Sequence, residues 1–393
     1  MKYSLPRLSS PEQKGILTIR LIGLVFSLTM LGAQAAEAVY PASDIITGIT
    51  FDQAGPSNLV PGNAVRAADS DNWAVTWADD DAQYTVYGDG IGFATENTLR
   101  ASLGVVRLEG DVDRFRAFDV FKTGHKADGW NGKSVGIVSI DGTLWMFRNG
   151  DGSEAGALDQ TELYRSRDKA HSWQFSNVAW HSKLNASKGD GIIFSPTFLQ
   201  FGRDYQGARD QFVYVYAPRQ TRSVSDNPWD VQRPGQILLL RVPRNKLADQ
   251  TAYEYLSGFD DRGSPTWSNS DQEASPVFED SPNGVMRTSV SYNQPLGRYL
   301  LCTQQVSRFA DKDYHIGLYE APEPWGPWKT VLFQNPQQLS PSLNTGAKTV
   351  FWNFSNKWLS ADGKQFVMVY TGPGADEWGS IRGTFITRKP TNP

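Results

Sequence analysis

Three observations on this 393-residue sequence predict an all-β fold, and more narrowly a five-bladed β-propeller. Helical periodicity is almost absent beyond the N-terminal segment. In its place run short apolar and aromatic stretches bounded by Gly, Asp, Asn and Pro, the pattern of strands joined by tight turns. Five of these stretches form hairpins of one type, a polar-led strand turning into an aromatic one, at intervals of roughly 55 to 95 residues, and repetition of a small strand unit at such spacing marks a propeller. A sandwich with a second β domain is the alternative architecture, because the repeats share a pattern more than a sequence.

In chain order, the first segment reads as an export signal over residues 1–35. Lys2, Arg7, Lys14 and Arg20 precede the apolar run LIGLVFSLTML, and GAQAAEA then supplies an A-x-A cleavage pattern. Cleavage is expected after Ala35, with Ala38 as the alternative. The apolar run is too short for a spanning helix, so no membrane association is expected once the signal is removed, and an uncleaved anchor is the second reading. Residues 39–393 are then a single propeller domain of a secreted or periplasmic protein. Its hairpins are WAVTWADDDAQYTVYGDG, SVGIVSIDGTLWMFRNG, IIFSPTFLQFGRDYQGARDQFVYVYAP, MRTSVSYNQPLGRYLLCTQQ and FWNFSNKWLSADGKQFVMVYTG. Between the second and third, Ser166 to Trp173 approximates the S-x-D-x-G-x-x-W turn of sialidase-type blades, with Ala170 in place of the glycine. The closing WGSIRGTFITR (378–388) is expected to return as a strand and pair with the start of the chain, which removes the sheet edges.

Composition excludes several functions. A net charge of −4, with Lys and Arg spread along the chain, offers no basic stripe to a phosphate backbone, so nucleic acid is not an expected partner. The 13 Trp residues, many beside Gly, Asp or Asn, suit a sugar-stacking cleft and equally an all-β core. Cys302 is the only cysteine, so no intramolecular disulfide can form, and within LLCTQQ it reads as a buried strand residue. His125, His171, His181 and His315 lack metal-ligand spacing. No Walker loop, dinucleotide fingerprint, C-x-x-C or G-x-S-x-G occurs, so no cofactor is expected.

The chemistry concentrates in SDNWAVTWADDDAQYTVYGDGIGF (70–93), where five aspartates stand among aromatic residues. If the two aromatic runs form a hairpin around Asp79, Asp80 and Asp81, paired positions sum to 160 or 161 and Asp71 faces Asp89. Like charges directly opposite on a sheet are destabilising. Glycoside hydrolysis gives a reason to keep them, because retaining enzymes set two carboxyl groups about 5 to 5.5 Å apart. Repulsion then separates their pKa values, leaving one group as acid and the other as nucleophile. Two other readings stand beside this one. Asp71 as a strand cap with Asp89-Gly90 as an ordinary turn is the first, and a structural calcium site of Asp69, Asp71 and Asp89 is the second.

The same stretch, together with GRYLL, EAPEPWGPW and FWNFSNKWLSADGKQF, resembles the group called domain of unknown function 4185, over about Asp44 to Thr387. Its characterised relatives, glycoside hydrolase family 183, are five-bladed propellers acting as retaining endo-D-arabinanases. The resemblance implies a catalytic pair of aspartates eighteen positions apart in the first blade, one acid/base and one nucleophile, and Asp71 and Asp89 have that separation. Asp71 is assigned the acid/base role and Asp89 the nucleophile.

A propeller's pocket lies over its axis, which makes the polar leaders of the hairpins candidates for substrate contact. These are Asn72, Lys133, Arg287, Asn353 and Lys357, with Trp73 and Trp130 as stacking surfaces and Glu273 as a third carboxylate. The expected partner is a polysaccharide. Two alternative functions remain at this level. One is a polysaccharide lyase in which His125 and Tyr292 perform β-elimination while Lys133 or Arg287 neutralises a uronate. The other is a propeller that binds glycan without turning it over.

Overall fold

Each of the five hairpins marked by turn residues is present, and each supplies the first two strands of one antiparallel group. The computed structural model describes residues 37–52, 67–94, 100–124, 132–150, 160–181, 184–185, 189–190, 193–221, 231–304, 315–339, 350–372 and 376–388. The signal segment, His125 and Trp130 lie outside the described residues.

After β1 (Ile46–Phe51), the first sheet holds β2 (Asp71–Trp77), β3 (Gln83–Gly88), β4 (Ala101–Glu109) and β5 (Arg116–Gly124) in consecutive order. The second holds β6 (Ile137–Ile140), β7 (Thr143–Asn149), β8 (Gln160–Ser166) and β9 (Gln174–His181), followed by the short pair β10 (Leu184–Asn185) and β11 (Gly189–Asp190). The third runs through β12 (Thr197–Gln200), β13 (Phe212–Pro218), β14 (Gln236–Pro243), β15 (Glu254–Phe259) and β16 (Pro265–Ser268), with β17 (Pro276–Glu279) pairing back onto β14. The fourth group is β18 (Arg287–Asn293), β19 (Arg298–Gln304), β20 (Ile316–Ala321) and β21 (Lys329–Gln334), and a short parallel pairing of β18 with β12, Leu199↔Val290 and Gln200↔Ser291, joins it to the third group as one ten-stranded sheet. The last is β22 (Val350–Phe354), β23 (Gln365–Thr371) and β24 (Trp378–Thr387), and β1 completes it by pairing with β24 from Ile46↔Thr387 to Phe51↔Gly383.

The architecture is all-β and propeller-like. The leading strands are neighbours in a ring: β2 lies beside β6 and β22, β6 beside β12, β12 beside β18, and β18 beside β22. Apolar residues therefore pack as slabs between successive sheets. Tyr84, Val86 and Leu103 of the first sheet meet Ile137 and Met146 of the second, and Leu300 and Cys302 of the fourth meet Trp352 and Phe366 of the fifth. Cys302 is thus a core residue, and burial pushes its thiol well above the usual range. Leading strands are buried on both faces, so strict alternation is lost in them, as the mostly buried β2 shows.

The turn at Ser166 forms as its spacing predicts. Ser166 Oγ donates to Asp168 Oδ1 (2.8 Å), and Asp168 accepts from the Ser172 amide (2.9 Å) and hydroxyl (2.6 Å). These donors hold the Asp168 carboxyl down at about 2. Ala170 adopts φ 69°, the left-handed conformation that explains why glycine suits this position.

Candidate active site

The β2–β3 hairpin carries both aspartates to one end of the ring, with a register that differs from the expected one. Trp77↔Gln83, Thr76↔Tyr84 and Val75↔Thr85 keep the sum of 160, and a bulge at Trp73 and Ala74 then shifts the pairing to Asn72↔Tyr87 and Asp71↔Gly88. Asp71 therefore faces Gly88, and Asp89 is the next residue along. The physical cause is backbone twist, with Asn72 at φ 88° and Trp73 at φ 47°, where a bulge places two residues against one. Asp89 itself is left-handed at φ 61°, which turns the chain out of β3.

Gly88 is the point on which the site converges. A Cβ there would lie 2.9 Å from Lys133 Cδ and 3.0 Å from both Asn72 Nδ2 and Asp71 Oδ1. Asn72 Nδ2 donates to Asp71 Oδ1 at 2.8 Å. Lys133 enters from the segment before β6, where its Nζ ion-pairs with Asp89 Oδ1 and donates to the Ser102 carbonyl at 3.0 Å. The two carboxylates differ in surroundings. Asp71 is partly buried, and desolvation pushes its pKa up to about 7, with Lys133 and Arg287 opposing and Asp89 and Asp376 raising it further. Asp89 is 45 % exposed and held by a lysine that is 12 % exposed.

Two further groups complete the polar surface. Asp376, just before β24, is raised by burial and by the neighbouring charges of Asp89 and Asp69. Arg100 donates to the Asp89 carbonyl at 2.9 Å and to Asp69 Oδ2 at 3.2 Å. Behind them, Gly92 fits beneath Asp119 and Tyr87, since a Cβ there would sit 1.9 Å from Asp119 Oδ1. Asp376 escaped the sequence reading. Its signal is weak but present: YTGPGAD follows the second strand of the last hairpin much as YGD follows that of the first.

Several expected substrate contacts stand elsewhere. Trp73 is fully buried against Tyr87, Phe93 and Trp378 and donates Nε1 to the Glu377 carbonyl at 3.2 Å, so it is core and offers no face to a sugar. Lys357 lies after β22 at the opposite end of the ring, bound to the carbonyl and carboxylate of Asp81 in the β2–β3 turn. Glu273 is exposed before β17, an outer strand beside β14, and does not approach the axis. Asn72 and Arg287 are 2 % and 3 % exposed. With Ser289 and Asn353 they line a cavity of about 10 Å³, the room of one water-sized sphere and far too small for a sugar ring.

Of the residues read as a lyase's, His125 lies outside the described residues. Tyr292 packs on Phe201 and Tyr299 near the far end of β18, Lys133 is committed to Asp89, and Arg287 is buried. Asp69 is held by Arg100, and among the described residues no cluster of three His, Cys, Asp or Glu side chains is arranged to hold a metal ion. No helix among them is long and apolar enough to cross a membrane.

The fold has counterparts among solved structures. A candidate hydrolase from Bacteroides ovatus superposes with a TM-score of 0.50 at 12 % identity, covering 81 % of this chain and 86 % of its own. An α-L-arabinofuranosidase from Podospora anserina gives 0.48 at 11 % identity, covering 87 % and 99 %. An endo-arabinase from Bacteroides thetaiotaomicron gives 0.45 at 14 %, covering 85 % and 99 %. At these identities the first of the three shows a shared fold. No protein of curated function matches. A family model described as domain of unknown function (DUF4185) matches residues 137–371, a narrower span than the resemblance read from sequence, and one that begins after Asp71 and Asp89.

Proposed function

The chain belongs to the DUF4185 family, and from that premise we propose that it is a retaining glycoside hydrolase acting on a polysaccharide, with Asp71 as acid/base and Asp89 as nucleophile. The observation that carries this reading is the asymmetry of the pair. Asp71 sits where a carboxyl keeps its proton near neutrality, while Asp89, adjoining it, is an ion-paired carboxylate with an open surface. Those are the two states the reaction requires.

In the first step Asp89 attacks the anomeric carbon as the glycosidic bond breaks, and the Asp71 proton passes to the departing oxygen. A glycosyl ester on Asp89 results. In the second step Asp71, now a carboxylate, takes a proton from water while the hydroxide oxygen bonds to the anomeric carbon and the ester to Asp89 breaks. Lys133 keeps Asp89 oriented between steps. We read the ring of five sheets, fastened by β1, as a closed five-bladed propeller, and residues 1–35 as the signal that delivers it to the periplasm or exterior. The resemblance to glycoside hydrolase family 183 puts endo-cleavage of D-arabinan first among substrates.

The test is a polysaccharide panel of D-arabinan, arabinogalactan and uronic-acid polymers, with reducing-end release and ultraviolet absorbance followed together. Release of reducing ends without absorbance is expected, lost on the order of 10³-fold in Asp89→Asn and at least about 10²-fold in Asp71→Asn. Unsaturated, absorbing products that persist in Asp89→Asn would establish a lyase. Glycan binding with no turnover would establish a binding module.

A further inference from the structure

Asp71 and Asn72 are neighbours on β2, and in a regular strand adjacent side chains point to opposite faces of the sheet. Here they meet: Asn72 Nδ2 donates to Asp71 Oδ1 at 2.8 Å. The backbone makes this possible. Asn72 has φ 88° and Trp73 has φ 47°, and non-glycine residues held in such regions cost of order 1–3 kcal/mol each, a strain that persists only where the surroundings impose it. A bulky residue such as tryptophan is especially unsuited to a positive φ.

The imposing contacts come from the other end of the chain. The Asn72 backbone N–H donates to Thr371 Oγ1 at 3.0 Å, and Trp73 Nε1 donates to the Glu377 carbonyl at 3.2 Å. The Trp73 ring is packed on Tyr87, Phe93 and Trp378. Across the hairpin the residue opposite Asp71 is Gly88, where a Cβ would lie 3.0 Å from both Asn72 Nδ2 and Asp71 Oδ1. Glycine at that position lets the amide and the carboxyl close on each other. Asn72 itself is 2 % exposed, so its amide reaches Asp71 and not a bound sugar.

We propose that Asn72 is a positioning residue for Asp71: its amide fixes one carboxyl oxygen, Oδ1, as an acceptor and leaves Oδ2 as the oxygen that gives up and takes back the catalytic proton. The inference rests on the reading of Asp71 as acid/base. A protonated carboxyl carries one O–H and accepts best at its other oxygen, so an N–H aimed at Oδ1 selects between the two. Asn72 takes no part in the bond changes. It acts by holding the acid in one orientation, and a misplacement of about 1 Å can cost on the order of 10²-fold in rate.

The experiment has two arms, both in the full chain. In the first, NMR follows the Asn72 side-chain amide as Asp71 titrates. One of the two Nδ2 protons is expected downfield of the free-amide range and should move further as the Asp71 carboxyl ionises, a step that Asp71→Asn abolishes. An amide indifferent to the Asp71 titration overturns the proposal. In the second arm, kcat/KM is compared for wild type, Asn72→Gly, Asp71→Asn and the double variant, on D-arabinan or whichever member of the polysaccharide panel is cleaved. Glycine suits the positive φ, so Asn72→Gly removes the amide and keeps the backbone. It is expected to lose about 10²-fold against wild type and nothing further in the Asp71→Asn background, the behaviour of residues that act as a unit. Equal losses in both backgrounds would make Asn72 structural and overturn the proposal. If Asn72→Gly does not fold, the first arm decides. A titrating amide together with hydrolysis that survives Asp71→Asn would keep the contact and remove the acid role, so the two readings fail separately.

Discussion

At the scale of single residues, the desolvation of Asp71 has consequences in opposite directions for activity and for stability. In the proposed acid role it must hold its proton, so kcat/KM is expected to fall as pH rises through about 7, the value to which burial pushes the group. For stability, the folded chain keeps this proton in a range where an unfolded chain has released it, since a free aspartate titrates near 4. Stability from this group is complete below pH 4 and is lost as pH rises through about 7. Asp71→Asn carries no such loss, and denaturant unfolding should find it more stable than wild type at pH 8, on the order of 2 kcal/mol, with the gap closing below pH 4. A variant less stable than wild type at pH 8 would show that the carboxylate makes compensating contacts. The aspartate pair was legible in the sequence because eighteen residues of hairpin bring its ends together. Arg287 and Asn72 were legible as polar groups near the axis but not as buried ones, because burial depends on neighbours that arrive from strands far away in sequence.

Among elements, the hairpins were readable almost to the residue, since Asp-Gly and Asp-Asp-Asp turns and alternating aromatics are local signals. The bulge at Trp73 and Ala74 was not. It depends on Trp73 finding Trp378, 5.3 Å away between ring centres in the last strand of the chain, and no local pattern records that partnership. Lys357 shows the same difficulty in another form: it stands three residues past the end of β22, and where the strand ends, which decides the side it lies on, is not marked in the sequence. The loop after β3 provides a test of how far the site depends on its supports. Gly92 has φ 64° and no room for a methyl group against Asp119 and Tyr87. Gly92→Ala is expected to lose about 2 to 4 kcal/mol in denaturant unfolding and to reduce turnover further, because the loop that turns Asp89 towards Lys133 must shift. Wild-type stability in this variant would mean that the loop repacks freely.

For the molecule as a whole, β1 is the element on which the ring depends. It covers the ten-residue strand β24, which would otherwise present an unpaired edge, and it contributes Ile46 and Phe51 to the slab between the fourth and fifth sheets. A chain shortened to begin at Asp52 is expected to lose about 3 to 6 kcal/mol from these two side chains alone. It should also elute as higher oligomers in size-exclusion chromatography through the exposed edge. A monomer of unchanged melting temperature would show that the ring stands without its fastening strand.

The position of β1 in the sequence also sets a timetable. Among the described residues it is the earliest strand in the sequence, and the strand it pairs with, β24, is the latest, ending at Thr387. The β1–β24 pairing joins residues more than 300 positions apart, and contacts of such long sequence separation form slowly. Until that pairing forms, the first and last of these strand groups stay free to move apart, so the late-made strand decides when the arrangement locks into shape.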